Sequence, residues 1–268
     1  MMKRIQQGSF VVLVLVFLLS FCAELVAPAD YSKQFREQPN AAPSKNFLLG
    51  TDSLGRDRFS RLVYGTRVSL LLAPAAALIS TFLAALIGGV AGYFGGWTER
   101  FALRLIDLFL SMPWLFLLIT VRAMLPLNTP PLWSVIITFS LLGVLGWAAS
   151  ARVVAAGART LSKSDMVLQA KASGFHGIHL FAVHVLPNLK PILMAQFWIS
   201  IPIYILAEAN LGILGLGVSE PLPSWGSMLR ELEGLPPLGS QPWLLVPLIL
   251  LVIVVSSFQM VIAQKESY

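Results

Sequence analysis

The sequence predicts an all-α protein, a polytopic membrane helix bundle with six transmembrane helices. Of its 268 residues, 56% are hydrophobic and only 12% are charged, whereas a soluble domain carries about 25% charged residues. Six apolar stretches approach or exceed the roughly 18 residues that mark a spanning helix. They are too long and too continuously apolar for barrel strands, and helices satisfy their own backbone hydrogen bonds in lipid.

The composition also excludes several classes of function. The single cysteine, Cys22, rules out a disulfide framework or a thiolate metal cluster within the chain. No phosphate-binding loop of the Walker type and no HExxH or paired-aspartate arrangement occurs in the spans. We therefore expect no catalytic residues, no metal and no cofactor. The net charge of +6 is better explained by basic loops beside a membrane than by nucleic-acid binding.

The first apolar run, Phe10–Ala27, follows Lys3 and Arg4. It resembles a signal peptide, or a lipoprotein signal in which Cys22 would be lipidated. The bulky Phe21 disfavours lipidation, and the run has the minimum length for a span. We predict an uncleaved first helix followed by a polar, proline-bearing loop outside the bilayer.

The other five spans are separated by short polar or glycine-rich segments. Prolines and charged residues lie within some of them, and small residues near the end of the second allow close helix packing. The predicted ranges are Val68–Tyr93, Leu103–Leu125, Leu132–Ser150, Ile192–Leu214 and Trp243–Ala263.

The polar segment, defined here as residues 162–191, is the longest polar stretch between two spans. It predicts two short helices joined at Gly174, the second running from Ile178 to Leu186 and stopping at Pro187. Its mixture of apolar and basic side chains suits a knob seated in a groove of another protein, although an ordinary loop remains the alternative. The basic residues favour a cytoplasmic position for this segment and for both termini.

Three histidines in the polar segment raise the question of a metal site. His176 and His179 can share a helical face, but His184 lies beyond it, and no carboxylate or cysteine is near. Known ligand spacings therefore favour solvated or interface histidines over metal ligands.

Charged residues within spans are costly and usually face a bundle interior or water. Glu208 can line a translocation path or form helix–helix hydrogen bonds, and the sequence does not decide between them. Asp107 is expected to pair with Arg104 near a helix end. Arg122 is expected to extend toward the outer interface.

Four stretches together carry a family resemblance. The chain resembles the inner-membrane permease subunit of a bacterial ABC importer from the oligopeptide, dipeptide and nickel group, with a MetI-like ABC permease fold. The matching stretches are LGTDSLGRD at Leu49–Asp57, GYFGGW at Gly92–Trp97, the polar segment, and LGLGV with PLPSWG at Leu214–Gly226. The resemblance implies an N-terminal helix and extracytoplasmic segment over 1–66 and a permease domain over 67–268.

In such permeases the polar segment is the EAA loop, a coupling helix that contacts the ATPase. Gly174 falls on the motif glycine, and His184 follows at the expected spacing. Leu168 and Gln169 replace the motif glutamate and first alanine, and the C-terminal tail also departs from the family pattern. The implied coupling residues are Leu168, Gln169, Ala170, Lys171, Gly174, His184, Leu186 and Pro187.

The resemblance further implies a non-catalytic subunit of the inner membrane, working with a second homologous permease, two ATPases and an extracytoplasmic solute-binding protein. The face with Gly88, Gly89 and Gly92 is expected to meet the second permease. Peptides or nickel chelates are candidate solutes, and a transport-inactive receptor or scaffold is the alternative. The first stretch is expected to brace the outer side rather than to dock the binding protein, through Gly50, Asp52, Gly55, Arg56 and Asp57, with the charged three as salt-bridge partners.

Overall fold

A computed structural model describes residues 2–126, 129–234 and 241–263. The described residues form helices and turns, and they contain no strand beyond two isolated β-bridges, Gln34 with Arg56 and Thr51 with Asp57. The predicted all-α class is therefore confirmed. The last five residues, including Lys265, lie outside the described residues, so the prediction for the C-terminal tail is not addressed.

Most connections between helices are short, but residues 27–57 and residues 214–224 form longer segments without a helix. Two π-helical turns, Ala85–Gly89 and Phe181–Val185, interrupt longer helical stretches, and 3-10 turns occupy Glu231–Gly234 and Pro242–Leu245. The helices are α1 (Met2–Phe21), α2 (Ala23–Val26), α3 (Arg58–Ala84), α4 (Val90–Phe94), α5 (Gly96–Ser111), α6 (Trp114–Met124), α7 (Pro131–Leu145), α8 (Trp147–Ser162), α9 (Asp165–Ala172), α10 (Gly177–Leu180), α11 (Leu186–Asn188), α12 (Lys190–Ile213), α13 (Trp225–Arg230) and α14 (Val246–Ala263).

The number of spans is four or five in the described part of the chain, by length and composition, rather than a demonstrated six. The fifth depends on counting α5 and α6 as one span, although they bend by 81°. Pro113 explains the bend, because it holds Met112 in an extended conformation and has no backbone N–H. The apolar part of α1, Gln7–Phe21, is shorter than a full span. The four continuous stretches are Arg58–Phe94, Pro131–Ser162, Lys190–Ile213 and Pro242–Ala263.

The largest differences from the predicted span boundaries lie in the second and fourth spans. The second predicted span begins with α3 at Arg58, ten residues before the predicted Val68. The Asp57 carboxylate accepts a hydrogen bond from the Ser60 amide at 2.8 Å and thereby caps the helix at this earlier position. The fourth predicted span, which corresponds to the stretch Pro131–Ser162, continues past the predicted Ser150 to Ser162. A turn at Gly146 separates α7 from α8 within it.

The chain divides into two compact units, which are described separately. The first comprises the described residues of Met1–Ala73, Arg122–Phe139 and Pro202–Tyr268. Within it α1 packs along α14. The fully buried Trp225 donates from its indole nitrogen to Thr66 Oγ1 at 3.0 Å, which joins α13 to α3.

The second unit comprises Pro74–Val121 and Ser140–Ile201. Gly88 and Gly92 bring the end of the helical stretch Arg58–Phe94 into close contact with α8. A Cβ on Gly88 would collide with the backbone oxygen of Ala151, and a Cβ on Gly92 would collide with that of Ala155. Gly89 packs beneath the Phe181 ring. The prediction that these glycines await a second permease is therefore wrong, because the same chain already covers them.

Candidate functional site

The polar segment is a knob that packs against the helices of the second unit. Its inner residues join the buried core of the second unit with Trp147, Ala151 and Val154 of α8. Those inner residues are Val167, Ala170, Leu180, Phe181 and Val185. An element fixed by such packing moves with the helices that hold it.

The outer side of α9 is exposed. Leu168 is 52% exposed, and its neighbours Gln169 and Lys171 are also exposed. Ala170, which the family motif assigns to the same contact, is instead buried in the core of its own unit. The reason is helical geometry, since Ala170 lies three residues after the buried Val167 and on the same face.

The joint between the two parts of the polar segment is Gly174, with a φ of +91°. Nothing lies near its missing Cβ, so the backbone conformation alone favours glycine there. Pro187 does not end the second part as predicted. The helical run continues past it, from Gly177 through the π-helical turn Phe181–Val185 to Asn188. Leu186 is partly buried.

The three histidines do not converge. His179 stacks on Phe175 with a centroid distance of 5.5 Å, and His184 meets the same ring edge-on at 5.0 Å. His176 is exposed. Among the described residues, no group of three histidine, cysteine or acidic side chains is arranged to hold a metal ion.

Glu208 lies in α12 and is fully buried in the first unit. Ser69 Oγ donates to its Oε2 at 3.4 Å, and the Ser224 hydroxyl and Gly226 amide lie beside the carboxylate. Its Oε1 nevertheless has no partner of good geometry among the described residues. These surroundings are those of a helix–helix contact, since no part of the side chain is exposed.

The charge cluster of the first unit joins residues far apart in the sequence. Arg56 Nε lies 2.6 Å from Asp52 Oδ2, and Arg56 also bonds Glu220. Arg61, only 1% exposed, contacts Glu220 at 3.1 Å and Glu231 at 3.3 Å. The cluster comprises Asp52, Arg56, Arg58, Arg61, Glu220 and Glu231.

The pKa values within the charge cluster follow from burial and pairing. Burial alone would raise the pKa of Glu220, but Arg61 and Arg56 together lower it below its usual value. Burial alone would lower the pKa of Arg56, but Glu220 and Asp52 raise it above its usual value. Both groups therefore stay ionised at neutral pH.

The remaining residues of the predicted brace have other roles. Gly50 and Gly55 have φ of +71° and +75°, which glycine adopts readily. Asp57 is a helix cap, and no salt bridge of Asp57 occurs in the part of the chain that the structure describes. Its Oδ2 accepts from Ser60 N and Oγ.

Two predictions for charged residues in the spans are wrong. Asp107 bonds Arg152 of α8 rather than Arg104, because Arg152 faces it across the contact of α5 with α8. Arg122 does not extend to an interface. It is buried, and its Nη2 donates to Ser134 Oγ at 3.2 Å and to the Gly217 oxygen at 3.4 Å.

Sequence reasoning missed Arg58, Arg61, Glu220 and Glu231 as members of the charge cluster. Arg58 and Arg61 follow the LGTDSLGRD stretch directly, and Glu220 directly precedes PLPSWG. Residues 49–61 contain three arginines and two aspartates. This small surplus of arginine was the available signal, because buried guanidinium groups require carboxylate partners.

A protein-family model described as "Binding-protein-dependent transport system inner membrane component" matches residues 84–266. Since the match covers more than half of the chain, the chain belongs to this family of multi-pass inner-membrane permease components. The resemblance to ABC importer permeases of the peptide group, drawn from its motifs, is thereby confirmed.

Individual relatives cover most of the chain. The dipeptide transport system permease protein DppC of Bacillus subtilis is 31% identical over 90% of this chain and 73% of its own length. The di/tripeptide transport system permease protein DppC of Pseudomonas aeruginosa is 36% identical over 84% of this chain and 75% of its own. The glutathione transport system permease protein GsiD of Pectobacterium atrosepticum is 32% identical over 84% and 72%.

Proposed function

We propose that the chain is the permease subunit of an ATP-driven, binding-protein-dependent importer and forms half of the translocation path for a peptide. The observation that carries this proposal is the family match over residues 84–266. The names of the three relatives support dipeptides, tripeptides or glutathione as solutes. None of these names mentions nickel, so the proposal is restricted to peptides.

In this proposal the chain works with a second homologous permease, two ATPases and an extracytoplasmic binding protein. It carries no catalytic residue of its own, and the ATPases hydrolyse ATP. Six spans with both termini in the cytoplasm place the polar segment on the ATPase side, and the charge cluster braces the outer side. Glu208, which is fully buried in the first unit, is the candidate residue for the translocation path.

The outer face of the polar segment is proposed to contact the ATPase. Leu168 and Ile178 are exposed apolar residues on this packed knob, and exposed apolar groups rimmed by polar ones are typical of protein contacts. When the ATPase moves, the packed inner face would transmit that displacement to α8 and to the end of the stretch Arg58–Phe94, because packed elements move as units.

The proposal is tested in proteoliposomes that hold this chain with its companion permease, two ATPases and the binding protein. We expect ATP-dependent uptake of a labelled peptide that stops when this chain is omitted. Correct assembly with no uptake of a dipeptide, a tripeptide or glutathione would favour the transport-inactive receptor instead.

Topology is tested separately. In a Cys22→Ser background, Ser44→Cys and Ser164→Cys should react with impermeant thiol reagents from opposite sides of the membrane. Labelling from the same side would contradict the proposed six-span arrangement.

A further inference from the structure

Two buried polar groups of the first unit lack partners and belong to residues that line the same cavity. Arg122 is 1% exposed, and its Nε and Nη1 have no hydrogen-bond partner among the described residues. The hydroxyl oxygen of Thr129 is likewise buried and unpaired there. Both residues line a cavity of about 550 Å³, a size that suits a small ligand.

The walls of this cavity leave room and carry charge. Gly212, Gly215 and Gly217 contribute backbone without side chains. Arg230 lies against Gly215, since a Cβ there would be 2.7 Å from its Nη1. Glu220 and Glu231 also line the cavity, but their carboxylates are already bonded to arginines of the charge cluster.

A buried guanidinium group without a counter-ion is destabilising unless an anion binds and accepts hydrogen bonds from its free N–H groups. A carboxylate oxygen can accept a charge-assisted hydrogen bond from such a free N–H group, and the Thr129 hydroxyl can add a further donor. The Glu220 side chain is 54% exposed despite its salt bridges, so its carboxylate can still accept from an ammonium group and disfavours a doubly charged phosphate. A small molecule with one carboxylate and one ammonium fits this pattern better than an anionic lipid headgroup.

We propose that this cavity binds the carboxylate of the transported solute through Arg122, assisted by Thr129. The proposal rests on the proposed function, in which the solute is a peptide, and it assigns a specificity step to the permease itself. The transporter should then distinguish a peptide with a free C-terminal carboxylate from its C-terminal amide after release from the binding protein.

The test uses the complete transporter in proteoliposomes, with binding protein saturated by either a labelled dipeptide or its C-terminal amide. Wild type should take up the free dipeptide about tenfold faster, as expected for a charge-assisted contact. Arg122→Gln should lower uptake of the free dipeptide about tenfold and leave uptake of the amide unchanged. Arg122→Lys should retain part of the preference. Arg67→Gln, a control on a half-exposed salt bridge with Glu24, should behave as wild type.

Several results would overturn the inference while leaving the proposed function intact. One such result is an Arg122→Gln transporter that still prefers the free dipeptide over its amide as wild type does. Another is an equal loss of uptake for both substrates. An unchanged preference combined with loss of co-purified anionic lipid would instead assign the cavity to a lipid. Should Arg122→Gln fail to insert, Thr129→Val and Arg122→Lys decide the matter: a reduced preference supports the inference, and a wild-type preference in both overturns it.

Failure of the proposed function has a different signature, namely a wild-type transporter that moves neither form. Equilibrium binding to the purified full chain then decides the inference. Binding of the free dipeptide at about tenfold lower concentration than the amide, lost in Arg122→Gln, supports it. Equal binding of the two forms overturns it.

Discussion

The charge cluster of the first unit and the polar segment of the second use their polar residues in opposite ways. In the charge cluster, Arg61 is buried and each arginine meets a carboxylate. In the polar segment, apolar residues face inward, while Leu168 and Lys171 face outward. A network that pairs its own charges mainly holds its own segments together, whereas an exposed face on a packed knob is open to contact with a partner protein.

The largest expected effect comes from opening the charge cluster. Arg61→Leu removes an arginine that contacts both Glu220 and Glu231. Arg56 and Arg58 still pair these carboxylates, so we expect a cost of about 1.5–3 kcal/mol for each hydrogen bond to a charged group that is lost. We expect a lower thermal unfolding temperature of the purified chain. Arg67→Leu breaks the exposed pair with Glu24, which costs about 0–1 kcal/mol. Equal effects of the two substitutions would contradict a structural role for the charge cluster.

A smaller loss of stability is expected from the helix contact beneath the polar segment. Gly92→Ala pushes a Cβ into the Ala155 backbone, and such overpacking costs about 1–3 kcal/mol. Gly8→Ala serves as the control, because nothing lies within 4 Å of its Cβ. The unfolding temperatures of both variants are compared with that of wild type. An unchanged unfolding temperature in Gly92→Ala would show that this helix contact is not tight.

The two faces of α9 should separate stability from ATPase binding. Leu168→Glu is expected to weaken ATPase recruitment about tenfold, or ~1.4 kcal/mol, because it places a charge on an apolar contact. Its unfolding temperature should not change, since exposed substitutions stay within about 0.5 kcal/mol. Ala170→Leu should instead lower the unfolding temperature by overfilling the core. Both variants are tested for co-purification of the ATPase and for thermal unfolding. If the two variants showed the same change in both measurements, the separation of the two faces would be refuted.

The smallest expected effect is the pH dependence of the stability that the charge cluster contributes. The pKa of Glu220 is lowered from 4.5 in the folded chain, so its ionised form contributes stability above pH 4.5. That contribution is lost as the pH falls through the lowered value. Acidification below pH 4.5 should reduce the unfolding temperature of wild type more than that of Glu220→Gln. Glu24→Gln, which changes a largely exposed side chain, should follow wild type, and an identical acid response of all three would contradict the account.

Local features were predictable from the sequence. Long apolar runs specify helices in lipid, and Gly174 was correctly placed at a joint with positive φ. Motif spacing was enough to assign the family, because it depends on residues close together along the chain.

Long-range features were not predictable. The partners of Arg61 lie more than a hundred residues away, at Glu220 and Glu231, and no local pattern specifies them. The inward orientation of Ala170 and the burial of Gly88 against α8 depend on how helices pack, which apolar periodicity alone does not determine when both lipid and core are apolar.

The central claim is that the outer face of the polar segment, and not its inner face, meets the ATPase. Cysteine cross-linking tests it directly, because Leu168 is half-exposed and its neighbour Val167 is fully buried. In a Cys22→Ser background and in membranes with the complete transporter, Leu168→Cys should cross-link to the ATPase and Val167→Cys should not. Equal cross-linking at both positions, or none at Leu168→Cys in an assembled transporter, would contradict the account.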